Sequence, residues 1–483
     1  MPLENRHAPD WIILTIACLA QFMVVLDVSI VNVALPTMGR DLHFTLTSAQ
    51  WVVNAYVLTF AGFLLLGGRA ADLFGRRNVY LVGMVVFTVA SIGAGFATSD
   101  TQIVTIRAIQ GIGGAILSPA TLTIIVTTFQ GPRLPKAIGA WSAVAGAGGA
   151  VGALLGGVLT GWISWRWVFF INVPFGIAAG VAALLFLREM RSPNATEKLD
   201  VTGAILVTGG LAAIIYAVVT TTTAGWTSAT TLEWLIAGAA LLVGFLFWEA
   251  RVASHPLVPF RIFKSRSLSS ANVVMFLVGG AFFSMWYFLT FYFQYILGYD
   301  AVRAGLAFFP MAVAIIVGAQ LSSRLLTRTG VRPLLQVGAT LATLGFLGIS
   351  LIKVHSSYAG VVLVPSIICS FAMGLLFAPL ATAATADVER SDAGLASGVL
   401  NTSRQVGGSL ALAILGTVAA DRTTATLRAL GVDVARVDGY QRAFQISAVI
   451  TFVGLLVTFA LPRATGRTAP SRREPPALAS AEG

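Results

Sequence analysis

Residues 11–35 read WIILTIACLAQFMVVLDVSIVNVAL, and this stretch decides the class of fold. A helix needs about 20 mainly apolar residues to cross a bilayer. The stretch exceeds that length and carries a single charged side chain, Asp27. Because lipid offers the backbone no hydrogen-bond partner, we predict a transmembrane α-helix here.

The rest of the chain repeats this pattern. Of its 483 residues, 57% are hydrophobic and only 11% are charged, whereas soluble domains are about 25% charged. Thirteen further apolar runs bring the predicted number of transmembrane helices to fourteen. We therefore predict an all-α membrane protein without a separate soluble domain, which argues against a cytosolic enzyme.

The net charge of +11 is explained by topology. With the N-terminus in the cytoplasm, 21 of the 31 basic residues fall in inner segments and 8 in outer segments. The remaining two, Arg107 and Arg404, lie inside predicted helices. This bias follows the positive-inside rule with both termini cytoplasmic, so we predict no nucleic-acid partner.

A weak internal repeat suggests the domain organisation. The loops Gly68–Arg77 and Ser323–Arg332 have similar spacing of glycine and arginine. If they correspond, two six-helix halves flank an inserted helix pair, a recurrent design with the binding site between the halves. The predicted division is a cytoplasmic N-terminus at 1–10, a first half at 11–187, inserted linker helices at 188–269, a second half at 270–461 and a disordered cytoplasmic tail at 462–483.

Motifs for soluble-type catalysis are missing. Cys18 and Cys369 both lie in apolar runs, and the four histidines are scattered. The sequence contains no HExxH, Walker A loop or nucleophile elbow. We predict a protein that is not an enzyme and that uses neither a cofactor nor a metal.

Asp27 is the predicted proton-coupling residue, with Arg107 as its partner. A carboxylate inside a membrane costs roughly 2.5–3.5 kcal/mol on insertion scales and usually marks a functional site. Burial disfavours its charged form, so reversible protonation becomes feasible. At 1.5 Å per residue, Asp27 and Arg107 lie about 12 and 9 Å below the predicted outer surface. The alternatives are a structural hydrogen bond for Asp27 and a bracing role for Arg107.

Two groups of residues are predicted to control conformation. The first is a latch in the loop between the second and third spans, formed by Gly68, Asp72, Gly75, Arg76 and Arg77. The second is a set of glycines in the span 137–160, namely Gly148, Gly152, Gly156 and Gly157. Small residues four apart let helices approach closely, so simple packing remains the alternative to gating.

Several polar and aromatic residues are candidates for a substrate cavity. Aromatic walls bind flat apolar compounds and attract cations. Arg404 could instead extend its side chain to the cytoplasmic face. The candidates are Gln110, Trp286, Tyr287, Gln294, Asn401 and Arg404.

Four motifs together resemble the major facilitator superfamily, and specifically its 14-spanner drug:proton antiporter family, over about residues 10–460. They are Leu26–Pro36, with its acidic residue at Asp27; Gly68–Arg77; Arg107–Ala115, whose arginine the resemblance implicates in proton transfer; and Trp165–Pro174. One departure is Ala153, which replaces the proline of the family's GxxxGPxxGG motif and removes an expected kink.

The resemblance implies a multidrug efflux transporter of the plasma (inner) membrane that exports amphipathic or cationic drugs by proton antiport and alternating access. The alternatives are a dedicated exporter of one metabolite or self-made antibiotic, and a non-transporting membrane sensor or enzyme. The expected partners are a small-molecule substrate, protons and the lipid bilayer. We predict a monomer, which in a double-membraned host could work with a periplasmic adaptor.

Overall fold

The computed structural model describes residues 9–130, 133–189, 199–388 and 392–462. The predicted tail beyond residue 462 lies outside these ranges, as do residues 1–8 and most of the loop after residue 188. Every regular element within them is helical. Thirteen helices are long and apolar enough to cross a membrane, and a further helix has a shorter described apolar stretch, Val151–Trp162. The prediction of an all-α multi-pass membrane protein is confirmed, while the count of fourteen spans stays a prediction.

The first seven helices pack on one another. α1 contacts α4, α5 and α7, and α4 contacts α2 and α3. Their bounds are α1 Asp10–Asp41, α2 Leu46–Phe74, α3 Arg76–Gly95, α4 Asp100–Thr128, α5 Arg133–Trp162, α6 Trp167–Phe170 and α7 Asn172–Phe186. This arrangement surrounds the part of α1 that carries Asp27.

The last six helices form a second group of mutual contacts. α10 packs on α13, α14 and α15, and α12 packs on α13 and α15. Their bounds are α10 Arg266–Phe291, α11 Ala301–Thr329, α12 Val331–Ile349, α13 Leu363–Thr385, α14 Ala393–Leu430 and α15 Val432–Thr458. The predicted division of the chain into two six-helix halves and an inserted helix pair stays a prediction.

Two helices separate these groups in sequence. They are α8 Val201–Ala224 and α9 Ala229–Phe247. α8 packs on α2 and on α14, whereas α9 packs mainly on α8. α9 accordingly exposes large apolar side chains, including Ile236, Val243 and Phe247. Exposed apolar surface of this kind is expected where a helix faces lipid.

The two loops with similar sequences also have similar geometry. α2 and α3 are joined by Gly75 with φ 95°, and α11 and α12 by Gly330 with φ 78°. A side chain is disfavoured at such positive φ values, which explains glycine at each turn. The side chains of Asp72 and Thr327, which hold the same place in the two loops, lie outside the described residues.

For the polar segment 421–440, which lies between two apolar runs, the sequence predicts an outer loop, but the structure differs. It is helical apart from a break at Gly431, which has φ 78°. Arg422 on α14 pairs with Asp438 on α15 at 2.7 Å. Its charged residues are therefore placed on helix surfaces, and low hydropathy alone did not distinguish an extended polar helix from a loop.

Candidate functional site

Asp27 lies on α1 in the interior of the first helix group, with none of its surface exposed. Its Oδ2 accepts a hydrogen bond from Nη1 of Arg107 in a buried ion pair. Its Oδ1 accepts from Nε2 of Gln110 at 2.8 Å and from Nδ2 of Asn172 at 3.0 Å. Three helices, α1, α4 and α7, therefore meet at one carboxylate.

Arg107 is fixed by groups besides Asp27. Its Nε donates to the carbonyl oxygen of Val52 at 3.3 Å, and its Nη1 also donates to Oε1 of Gln110 at 2.7 Å. The guanidinium carbon lies 4.1 Å from the centre of the Tyr56 ring, a distance suited to cation–π attraction. Arg107 and Gln110 are three residues apart on α4 and so share a helix face.

Ser91 and Asn172 complete the network, and sequence reasoning assigned neither a role. Oγ of Ser91 accepts from Nε2 of Gln110 at 2.8 Å and donates to the carbonyl oxygen of Phe87 at 2.9 Å. Nδ2 of Asn172 also lies 3.4 Å from Oγ of Ser91. Both residues are fully buried. A polar residue within an apolar span is a weak indication of a functional site, because the sequence does not show whether its side chain points towards the site or away from it.

The cluster buries one negative charge, on Asp27, beside one positive charge, on Arg107. Removing one partner of a buried pair typically costs about 3–5 kcal/mol, because the other charge loses its compensation. A proton on Asp27 would remove the carboxylate charge and weaken its bond to Arg107. Since Asp27 is not exposed in this conformation, proton exchange requires a change of conformation.

Three of the four predicted glycines lie against α1 beside Asp27. A methyl group placed on Gly148, Gly152 or Gly156 would lie 3.1, 2.8 or 2.7 Å from a carbonyl oxygen of α1. For Gly152 this oxygen belongs to Leu26, the neighbour of Asp27. These glycines allow α5 to support the helix that carries the carboxylate.

Gly152→Ala should therefore destabilise the protein by about 1–3 kcal/mol, the usual range for overpacking. The added methyl group would press on the backbone of α1, which cannot turn away as a flexible side chain could. Gly149→Ala is the matched control, because no atom lies within 4 Å of a methyl group there. Thermal unfolding in detergent should separate the two variants, and equal melting temperatures would contradict this packing role.

Gly157 points in a different direction from the other three glycines. A methyl group there would clash with the carbonyl oxygen of Ala301 on α11. Ala153 faces the same helix, since a methyl group on Gly305 would lie 2.6 Å from its carbonyl oxygen. Gly157 and Ala153 thus lie where the two helix groups meet.

The predicted latch is partly described. Gly75 is buried, and a side chain at this position would clash with Glu189. Oε2 of Glu189 accepts from the backbone N–H of Asn78 at 3.2 Å, near the start of α3. A carboxylate at a helix N-terminus is stabilised by the helix dipole. Glu189 was not identified from the sequence.

Two other latch residues contact neighbouring helices. Nη2 of Arg77 donates to the carbonyl oxygen of Leu184 at 3.2 Å, and Gly68 lies beside Pro119. Arg76 is half-buried, and its Nε has no hydrogen-bond partner among the described residues. The side chain of Asp72 is outside the described residues.

The six cavity candidates do not form one cluster. Gln110 lies in the Asp27 network, whereas Gln294 donates to the carbonyl oxygen of Val33 at 2.8 Å. Trp286 packs against Phe308, and Tyr287 is buried against Phe291.

Asn401 and Arg404 form a separate pair on α14. Nη2 of Arg404 donates to Oδ1 of Asn401 at 2.9 Å, and its guanidinium carbon lies 5.7 Å from the Phe377 ring centre. Both residues are partly exposed. Within the described residues, no group of three or more His, Cys, Asp or Glu side chains could hold a metal ion.

Comparisons with known proteins agree on one family. The family model described as Major Facilitator Superfamily matches residues 17–412. The cephamycin export protein CmcT of Amycolatopsis lactamdurans is 41% identical over 460 residues, covering 95% of this chain and 93% of that protein. The puromycin resistance protein pur8 of Streptomyces alboniger is 39% identical over 474 residues, with the same coverage.

A more distant relative supports the same assignment, and a solved structure shows a similar fold. The multidrug resistance protein Stp of Mycobacterium tuberculosis (strain CDC 1551 / Oshkosh) is 34% identical, over 85% of this chain and 76% of that protein. The crystal structure of a bacterial homologue of the human lysosomal transporter Spinster, inward-facing and unoccupied, has a TM-score of 0.65 at 16% identity. It covers 94% of this chain and 98% of that one, and it bears on the fold alone.

Proposed function

The chain belongs to the major facilitator superfamily, and from this premise we propose that it is a proton-coupled exporter of amphipathic or cationic small molecules. It is a multi-pass transport protein of the cell membrane and not an enzyme. The proposed driving force is the proton gradient, without a cofactor, and the proposed functional unit is a monomer.

The observation that carries the proposal is the buried pair of Asp27 and Arg107. Asp27 is a titratable group at membrane depth, and each of its oxygens has a hydrogen-bond donor. Such intramembrane carboxylates are expensive to bury and are typical of proton relays. Stability alone explains such a pair poorly, because replacing a buried ion pair with apolar residues of similar volume is often neutral or stabilising.

The proposed cycle uses the competition between a proton and Arg107 for Asp27. When the carboxylate is charged, Arg107 neutralises it and joins α1 to α4. When a proton arrives, the attraction between these helices weakens and Arg107 keeps its contacts with Val52, Gln110 and Tyr56. A cationic substrate that favours the charged carboxylate would then leave as the proton binds.

The change of access is proposed to occur where α5 meets α11 and α1 meets α10. At the predicted outer end, Gly157 lies on Ala301, and Gln294 on the segment after α10 hydrogen-bonds Val33 on α1. The Gly68–Arg77 loop, together with Glu189, is proposed to stabilise one conformation on the predicted cytoplasmic side. A ligand shifts such an equilibrium only by binding one conformation more tightly than the other.

Gly157→Ala should shift the protein towards a conformation in which this outer contact is open. The clash is with backbone and cannot be relieved by a rotamer change. Opening can be measured at Gln50, a buried residue on α2 that faces Gly416 of α14. It is replaced by cysteine in a protein from which Cys18 and Cys369 have been removed. An impermeant maleimide added outside should label it faster with Gly157→Ala than with Gly149→Ala. Equal labelling rates would argue against this contact as the closing surface.

The names of two relatives favour a second candidate, a dedicated exporter. CmcT and pur8 are each named for one antibiotic, whereas Stp is named for multidrug resistance. A panel of unrelated amphipathic compounds, assayed in inverted vesicles with an imposed pH gradient, distinguishes the two functions. Uptake of several unrelated compounds supports multidrug export, and uptake of a single compound supports a dedicated exporter. If a protonophore leaves all uptake unchanged, proton coupling is contradicted.

A further inference from the structure

A second buried pair of acidic residues lies at one end of the inserted helices, outside the Asp27 network. Asp200 immediately precedes α8, and Glu249 lies in the π-helical turn Trp248–Val252 that follows α9. Asp200 thus precedes the first helix of the pair and Glu249 follows the second, and the two side chains meet at the same end of the pair. Asp200 is 8% exposed and Glu249 is 5% exposed.

The carboxyl groups of Asp200 and Glu249 both lie beside the α-carbon of Gly203. A methyl group placed on Gly203 would lie 2.6 Å from Oδ2 of Asp200 and 3.0 Å from Oε1 of Glu249. Glycine at this position therefore leaves room for the carboxyl groups to approach.

Three of the four carboxyl oxygens have a donor. Oδ1 of Asp200 accepts from the backbone N–H of Gly203 and from Nε1 of Trp248, each at 2.8 Å. Oε1 and Oε2 of Glu249 accept from the backbone N–H groups of Leu257 and Val258, each at 3.2 Å. Oδ2 of Asp200 is buried and has no hydrogen-bond partner among the described residues.

A proton is the ligand that fits this arrangement. Two carboxylates that share a buried site disfavour each other's charge, so one of them retains a proton. A proton on Oε1 of Glu249 would supply the missing donor to Oδ2 of Asp200. A divalent cation is a poorer fit, because Ca²⁺ takes six to eight oxygen ligands.

We propose that Asp200 and Glu249 form a proton-binding site that holds one proton between Oδ2 of Asp200 and Oε1 of Glu249. The site is separate from Asp27 and does not depend on the proposed transport function. Glu249 binds the segment 253–259 through the backbone N–H groups of Leu257 and Val258, and the shared proton holds Glu249 against Asp200 at the end of the inserted helix pair.

The surrounding charges leave this assignment in place. Arg251 and His255 are near Glu249 along the chain, and both are exposed. On α2, which packs on α8 through Gly62 and Thr208, the first charged residue after Gly62 is Arg69. Further along the linker, Arg261 pairs with Asp392 at 3.1 Å, just before α14. The linker thus connects the acidic pair to the second helix group.

Infrared spectroscopy of the full-length protein in detergent tests for the bound proton. At neutral pH the wild type should show a protonated-carboxyl band that is lost in both Glu249→Gln and Asp200→Asn. Asp27→Asn, a variant of the other buried carboxylate, should keep the band. A wild-type spectrum without such a band, or one that both variants leave unchanged, would overturn the proposal.

Thermal unfolding as a function of pH gives a second readout for the same variants. The folded pair binds a proton that the unfolded chain releases at neutral pH, so wild-type stability should fall as the pH is raised and the pair loses it. In Glu249→Gln the amide donates permanently to Asp200, and this loss should disappear. If that variant does not fold, Asp200→Asn should show the same flattening. The proposal fails if both folded variants keep the wild-type dependence.

Discussion

Asp27→Asn is expected to reduce proton-driven export to the background of vesicles without the protein. Asparagine has nearly the same shape and can still accept hydrogen bonds from Gln110 and Asn172, but it cannot bind and release a proton. The proposed cycle already contains a state in which residue 27 is neutral beside Arg107, so the variant should insert and fold. Uptake into inverted vesicles measures the loss of export, and the amount of inserted protein, measured in parallel, checks that the variant still inserts.

Asp41→Asn is the matched control for this prediction. Asp41 is an acidic residue on the same helix, but it is exposed and pairs with Arg166 at 2.8 Å. Exposed ion pairs typically contribute only about 0–1 kcal/mol, so export by this variant should stay near the wild-type rate. Undiminished uphill export by Asp27→Asn would contradict the role of Asp27.

Arg107→Gln is expected to trap the proton on Asp27. A nearby arginine typically changes the proton affinity of a carboxyl group by about 10- to 1,000-fold, and a buried carboxylate without it becomes neutral. Export driven by a pH gradient should therefore fall by about the same factor. Exchange of substrate between equal concentrations should fall as well at neutral pH and recover as the pH is raised, because the proposed substrate binds only after the proton has left Asp27.

The control for Arg107→Gln is Arg166→Gln, which removes the arginine of the partly exposed pair with Asp41. This variant should retain both kinds of transport. Loss of both exchange and export in Arg107→Gln that a raised pH does not reverse would point to a bracing role for Arg107. Full export would show that Arg107 does not act on the proton.

The depth of Asp27 and Arg107 in the membrane could be predicted from the sequence, but the other residues that hydrogen-bond them could not. Counting 1.5 Å per residue from the predicted outer ends placed Asp27 and Arg107 at similar depth, and the structure brings them into contact. Gln110 was expected in a cavity, yet it hydrogen-bonds Asp27. Depth follows from counting, whereas the direction of a side chain depends on helix rotation and on neighbours distant in sequence.

The same distinction explains the other residues that were missed. Ser91 and Asn172 reach Asp27 or its partners from α3 and α7, so only the packing of four helices identifies them. The glycines of α5 were recognised as a close-packing pattern. Their separate contacts, three with α1 and one with α11, became clear only once both neighbours were placed.

Coupling between substrate and proton is tested most directly in proteoliposomes that contain the purified wild-type protein and a pH indicator. A transported compound is applied as a concentration gradient, with equal pH on both sides and no membrane potential. The account predicts that protons move in the direction opposite to the compound, and that Asp27→Asn abolishes this movement. Movement of the compound without any movement of protons would contradict proton-coupled export.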